Sequence, residues 1–164
     1  NRSFSTAVAG LILCAWTASG FALATDKDQP VEIEADSVDI NESEGTSIYQ
    51  GEVEINQGSM QLKADTVTVF YKDRKPEKLV AIGKPVKFKQ LPDNADQYVT
   101  GKGNRLVYHI NSEELILTEN AELQQGKDSF KSDRIVYDRV NARLKAGAVA
   151  KGSERVRVSI QPTR

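Results

Sequence analysis

The stretch GEVEINQGSMQLKADTVTVF, residues 51 to 70, decides the architecture. Val53 and Ile55, then Met60 and Leu62, then Val67 and Val69 stand two residues apart, with Glu, Lys, Gln and Thr between them. Side chains two apart share one face of an extended strand, so each run has one apolar and one polar side. Gln57-Gly58-Ser59, between two such runs, carries turn chemistry and predicts a hairpin.

The same period of two extends in both directions. Val31 and Ile33, Val38 and Ile40, Val86 and Phe88, Leu106 with Tyr108 and Ile110, Leu115 and Leu117, Ile135 and Tyr137, and Val156 with Val158 and Ile160 all follow it. No comparable window carries the apolar spacing of a helix. The expectation is an all-β chain of short antiparallel strands.

These strands recur as a unit. A small residue, then Asp or Asn, then alternating apolar positions opens ADSVDI, ADTVTV, GNRLVYHI and SDRIVYD. The anchors Asp36, Asp65, Asn104 and Asp133 lie 29, 39 and 29 residues apart. After each comes a Gly or Asn that reads as the start of a second strand: Gly51, Gly83, Asn120 and Gly147. The longer interval is accounted for by the loop QLPDNADQYVTG from residue 90. Repeated strand pairs stack into a layered barrel, jelly roll or solenoid with a continuous apolar interior.

The 164 residues carry a net charge of −1, one Cys and one His. One Cys excludes an intrachain disulfide, and one Cys with one His cannot assemble a zinc or iron–sulfur site. No metal or cofactor is expected. The near-neutral charge also lacks the basic blocks that phosphate neutralisation requires, so nucleic acid is not an expected partner. Residues 1–24 read as a cleaved secretory signal peptide, with Arg2 ahead of an apolar run from Ala7 to Trp16 and Ala22-Leu23-Ala24 as the cleavage box. Residues 25–164 are then expected to form a single exported domain.

No catalytic residue is nominated. His109 alternates with Tyr108 and Ile110 and is expected on the polar side, and no G-x-S-x-G nucleophile motif occurs. The Asp36, Asp65 and Asp133 series is read as turn residues satisfying nearby backbone rather than as an acid–base pair. Lys84, Lys87 and Lys89 surround Val86 and Phe88 and could offer a basic contact to a phosphate, but Lys87 and Lys89 alternate with these apolar residues and the expectation for them is a solvated face.

Taken in register, DQPVEIEAD, GEVEINQGSMQLKADTVTV, GKPVKFKQLPDN, LVYHINSEELILTENAELQQ and FKSDRIVYD resemble the LptA/OstA-like family of periplasmic lipopolysaccharide-transport proteins, over about residues 28 to 160. The resemblance implies a twisted, open β-jelly roll of about sixteen antiparallel strands, located in the Gram-negative periplasm. It implies an apolar interior for the acyl chains of lipopolysaccharide, and docking to LptC-like and LptD-like partners at the two ends. Carried onto this chain, the lipid-facing positions are Val31, Ile33, Phe88, Tyr108 and Ile110, and the same apolar face adds Val53, Val67, Val69 and Leu117. Burying an acyl chain is worth about 0.8 kcal/mol per methylene, so such a lipid needs a continuous apolar lining in transit. Periodicity alone is equally consistent with an ordinary packed core. A periplasmic domain of LptC or the N-terminal domain of LptD, and a glycan-binding or glycan-cleaving β-structure, are the alternative readings.

The first and last strands, carrying Val31 and Ile33 and then Val156, Val158 and Ile160, are expected to be exposed edges. Such edges accept a partner's strand. Because the two differ, pairing between copies would run head to tail and leave an open filament.

Overall fold

The computed structural model describes residues 25–93, 95–147 and 155–162; the signal reading for residues 1–24 lies outside them. Among the described residues a short 3-10 turn, Asp26–Asp28, precedes ten strands. They are β1 (Glu32–Glu34), β2 (Ser37–Asn41), β3 (Thr46–Gln57), β4 (Met60–Lys72), β5 (Lys75–Gln90), β6 (Val99–His109), β7 (Glu114–Gln125), β8 (Asp128–Asp138), β9 (Arg143–Ala146) and β10 (Arg157–Ser159). All belong to one antiparallel sheet in the order β1-β3-β4-β5-β6-β7-β8-β10, with β2 also pairing β3 and β9 also pairing β8.

The architecture is the expected open all-β fold, but with ten described strands where about sixteen were expected. The difference lies in the repeated Gly, Asp and Asn marks. Six of them, Gly51, Asp65, Gly83, Asn104, Asn120 and Asp133, do not reverse the chain but sit within long strands at β-bulges, whereas Asp36 lies between β1 and β2 and Gly147 directly follows β9. Residues 51–52 of β3 oppose the single residue Asp65, and residues 119–120 of β7 oppose the single residue Asp133. Further register breaks fall at Ile82 to Val86 in β5 and Lys102 to Arg105 in β6. Two residues against one bends a strand and sharpens its twist without ending it. Gly51 at φ 82° and the pair Glu119 and Asn120, both at 61°, supply the left-handed backbone these bends need. Asp36 lies at the same level: its N–H donates to the Gly51 carbonyl (3.1 Å), and its carboxylate occupies the space a Gly51 side chain would need.

Aligned bulges make a crease that divides the sheet into two half-sheets. The first contains β1, β10 and the strand halves joined by the turn at Gly58 and the loop after Gln90. The second contains β2, β9 and the halves joined by the Asp73-Arg74 turn. The half-sheets fold onto each other. Leu117 pairs with Leu106, five residues from Gly101 along β6, a separation of about 17 Å on a flat sheet. Yet a side chain at Gly101 would come within 2.8 Å of Leu117 Cδ1. Only a fold along the crease brings these two residues together, and one apolar cluster accordingly joins both halves.

Candidate functional site: an apolar interior open at two edges

Both half-sheets turn their alternating apolar residues inward. Val53, Val67, Val69, Phe88 and Leu117 are all buried in the shared cluster, and Ile33 and Tyr108 pack against it from its margin. Val31 and Ile110 are placed differently from the expectation. Val31 precedes β1 and is 54% exposed, because strand pairing begins only at Glu32. Ile110 follows the last residue of β6 and is half-buried in the turn, its N–H donating to the Glu77 carbonyl (3.0 Å). His109 is also half-buried, in register between Lys78 and Glu114.

The interior is not sealed at the ends of the sheet. Val38 and Ile40 of β2 stand opposite Tyr49 and buried Ser47, hence on the inward face, yet Ile40 is 62% exposed. At the other end Val158 stands opposite Phe130, which packs on the core, and remains 51% exposed. Val156 and Ile160, expected within the last strand, flank β10 instead and are exposed. The apolar face therefore continues to both edges, where no further strand covers it among the described residues.

The outward residues of these edges carry opposite charge. Glu32 and Glu34 of β1 and Asp39 of β2 make the first edge acidic. Arg157 of β10 and Arg143 and Lys145 of β9 make the last edge basic. The basic character of β9 escaped the sequence reading, although Arg143 and Lys145 alternate with Leu144 and Ala146.

Two polar clusters stand at the free ends of the half-sheets. On the first, Asp26 accepts from Ser59 N–H (2.7 Å), Ser59 Oγ (2.6 Å) and Gln90 Nε2 (2.8 Å). Burial works against its ionisation, but the Ser59 and Gln90 hydrogen bonds and the positive charge of Arg139 outweigh it and hold the carboxyl below its usual range. On the second, Arg139 donates to the Tyr108 hydroxyl (2.6 Å) and lies 3.8 Å from Glu113. Burial pushes Tyr108 upward and Glu113 adds to it, against the opposing pull of Arg139. No signal at sequence level paired Arg139 with Tyr108, which are 31 residues apart. Among the described residues, no group of three or more His, Cys, Asp and Glu is placed to hold a metal ion.

A family model described as "LptA/(LptD N-terminal domain) LPS transport protein" matches residues 32–143. The chain belongs to this LPS-transport family. Two relatives of the LptA kind match across nearly the whole length. The chain is 29% identical over 160 residues to the lipopolysaccharide export system protein LptH of Pseudomonas aeruginosa, covering 93% of this chain and 91% of that protein. It is 35% identical over 150 residues to the lipopolysaccharide export system protein LptA of Haemophilus influenzae, covering 90% and 86%. The crystal structure of Pseudomonas aeruginosa LptH, described as the LptA-homologous periplasmic component of the lipopolysaccharide transport device, superimposes with a TM-score of 0.77 at 28% identity, over 85% of this chain and all of that one. The LptA-like resemblance read from the sequence is thus borne out, and so is the open β fold.

Proposed function

We propose that this chain is an exported periplasmic carrier that shields the acyl chains of lipopolysaccharide in its interior and passes the lipid on by edge-to-edge strand pairing, without catalysis. The observation that carries the reading is the apolar face running from β1 and β2 to β9 and β10, which no further strand covers at either end among the described residues. A packed core alone has no need of Val38, Ile40 and Val158 facing inward in the open. A lipid conduit does, because a partner strand added there would extend both the sheet and the apolar lining.

The nominated residues then act in two tiers. Ile33 and Tyr108 line the margin and meet acyl chains first, with Val31 before β1 and Ile110 in the turn after β6 reached from outside it. Val53, Val67, Val69, Phe88 and Leu117 already pack on one another, so acyl chains reach them only as the two half-sheets part along the crease. Val156, Val158 and Ile160 serve the last edge. An LptC-like protein on the inner-membrane side and an LptD-like protein on the outer-membrane side are the expected strand donors, and the acidic first edge against the basic last edge favours head-to-tail pairing between copies as well.

The test is competition against a fluorescent fatty-acyl probe by intact lipopolysaccharide and by its deacylated glycan. Displacement by the intact lipid alone supports the reading; equal displacement by both would replace the acyl interior with a glycan-binding surface.

A further inference from the structure

The two outer faces of the folded sheet are unlike. On the second half-sheet the outward row is Ile48, Thr68, Val80, Val107, Ile116 and Val136, in register across six strands. On the first half-sheet the equivalent row is charged: Glu54 opposes Lys63, Lys63 opposes Lys87, Lys87 opposes Lys102, and Lys102 opposes Glu122. Three lysines directly opposite one another on adjacent strands repel. Lys63 relieves this by turning to Glu54 (2.7 Å) and Lys102 by turning to Glu122 (3.0 Å), which Lys131 also reaches (3.3 Å). Lys87, in the middle, makes no ion pair among the described residues. Lys89, one step further along β5, lies over the Tyr98 ring at 4.3 Å.

These four lysines surround a hollow of about 350 Å³ whose wall also includes Gln61 and Thr100. A second hollow shares Lys102 and Glu122 and adds Lys131 and Arg157. In a chain of net charge −1, the excess of cations over two carboxylates here is a local field that an anion would neutralise. Lysines act as point-charge partners of phosphate, which brings close to two negative charges and three acceptor oxygens. Neighbouring strands set the lysines about 4.8 Å apart, so the row from Lys63 to Lys102 spans about 10 Å, the scale of a sugar rather than of an extended polymer. Gln61 and Thr100 offer neutral hydrogen bonds suited to sugar hydroxyls.

The geometry points to a binding site for a phosphorylated saccharide on the outer face of the first half-sheet, centred on Lys87 and Lys89. The choice of a saccharide rests on the lipopolysaccharide reading, since the head of that lipid is a phosphorylated glycan. The site is separate from the interior: Lys87 and Lys89 point away from the face that buries Phe88.

The experiment is calorimetric titration of the purified protein with deacylated phosphorylated glycan, the same glycan after phosphatase treatment, and inorganic pyrophosphate, at low and high salt. The phosphorylated glycan should bind, weaken as salt rises, and lose about tenfold in affinity in a Lys87→Gln, Lys89→Gln double variant. A Lys72→Gln, Lys75→Gln variant at the far turn should bind as the parent does. Absence of binding, equal binding of the dephosphorylated glycan, or indifference to the Lys87 and Lys89 changes would overturn the site. Pyrophosphate binding as tightly as the glycan would overturn the saccharide assignment. Displacement of the acyl probe is read separately on the same variants, so loss of the headgroup site and failure of the acyl interior give distinct results.

Discussion

Gly103 lies where the two half-sheets meet, and it has little room. A side chain there would stand 2.9 Å from the Thr118 carbonyl oxygen and 3.6 Å from Leu117 Cδ2. Backbone cannot give way as the tip of a side chain can, so Gly103→Ala is expected to cost about 1–3 kcal/mol, read as a lowered midpoint in thermal or denaturant unfolding. Leu117→Ala removes the same contact from the other side and is expected to cost about 2–5 kcal/mol by leaving a cavity. Asp26 gives a pH-dependent counterpart. Its folded-state ionisation lies below the usual aspartate value of 3.8, so the contribution is fully present above that value and is lost as pH falls through the lower one. Protection of the Ser59 amide, taken as its exchange rate relative to the intrinsic rate at each pH, should therefore hold at neutral and mildly acidic pH and fall only in strong acid. In Asp26→Asn the amide should exchange faster at neutral pH.

At the scale of strands, the edges make the clearest demand. Reversing Arg157 of β10 to Glu, together with Arg155 just before that strand, leaves Glu32 and Glu34 of β1 facing like charge across any head-to-tail junction between these two strands. Sizing over a range of concentrations should show weaker association for this variant than for the parent. Mixing it with a Glu32→Arg, Glu34→Arg partner should restore association, whereas a mere loss of folding would not be rescued. Period-two alternation made the inward faces of these strands legible: Val53, Val67, Phe88 and Leu117 are buried as their spacing requires. What misled was local. Gly51 and Asn120 have the chemistry of turns, and a bulge uses the same left-handed backbone without reversing the chain. Only the pairing of residues 51–52 with Asp65 distinguishes the two, and that pairing is made by another strand. The lysine row was hidden for a related reason. Lys63, Lys87 and Lys102 are far apart in sequence, and it is register that sets them side by side.

Across the whole molecule, one crease serves two needs. It lets a single sheet enclose an interior, and it sets the two enclosing walls face to face with one shared apolar cluster between them. If acyl chains enter as proposed, by separation of walls that otherwise pack on each other, a bridge pinning the crease shut suppresses acyl-probe uptake more than it suppresses folding. A cysteine pair introduced at Gly101 and Leu117, where the two half-sheets touch, provides it. Oxidised protein should exclude the probe and reduced protein should admit it, with far-ultraviolet circular dichroism unchanged between them.

The strand order has a further consequence for any line of copies joined at their edges. Eight strands follow one another from β1 to β10 along the main path. At about 4.8 Å per strand each copy advances the line by roughly 40 Å, and at about 20–25° of twist per strand it turns the line by roughly half a revolution. A bridge assembled in this way has a ladder of permitted lengths, and its open side winds around the axis like the thread of a coarse screw. Two membranes joined by it would be held at spacings counted in whole copies, and a passenger keeping its head outside would travel a helical path between them.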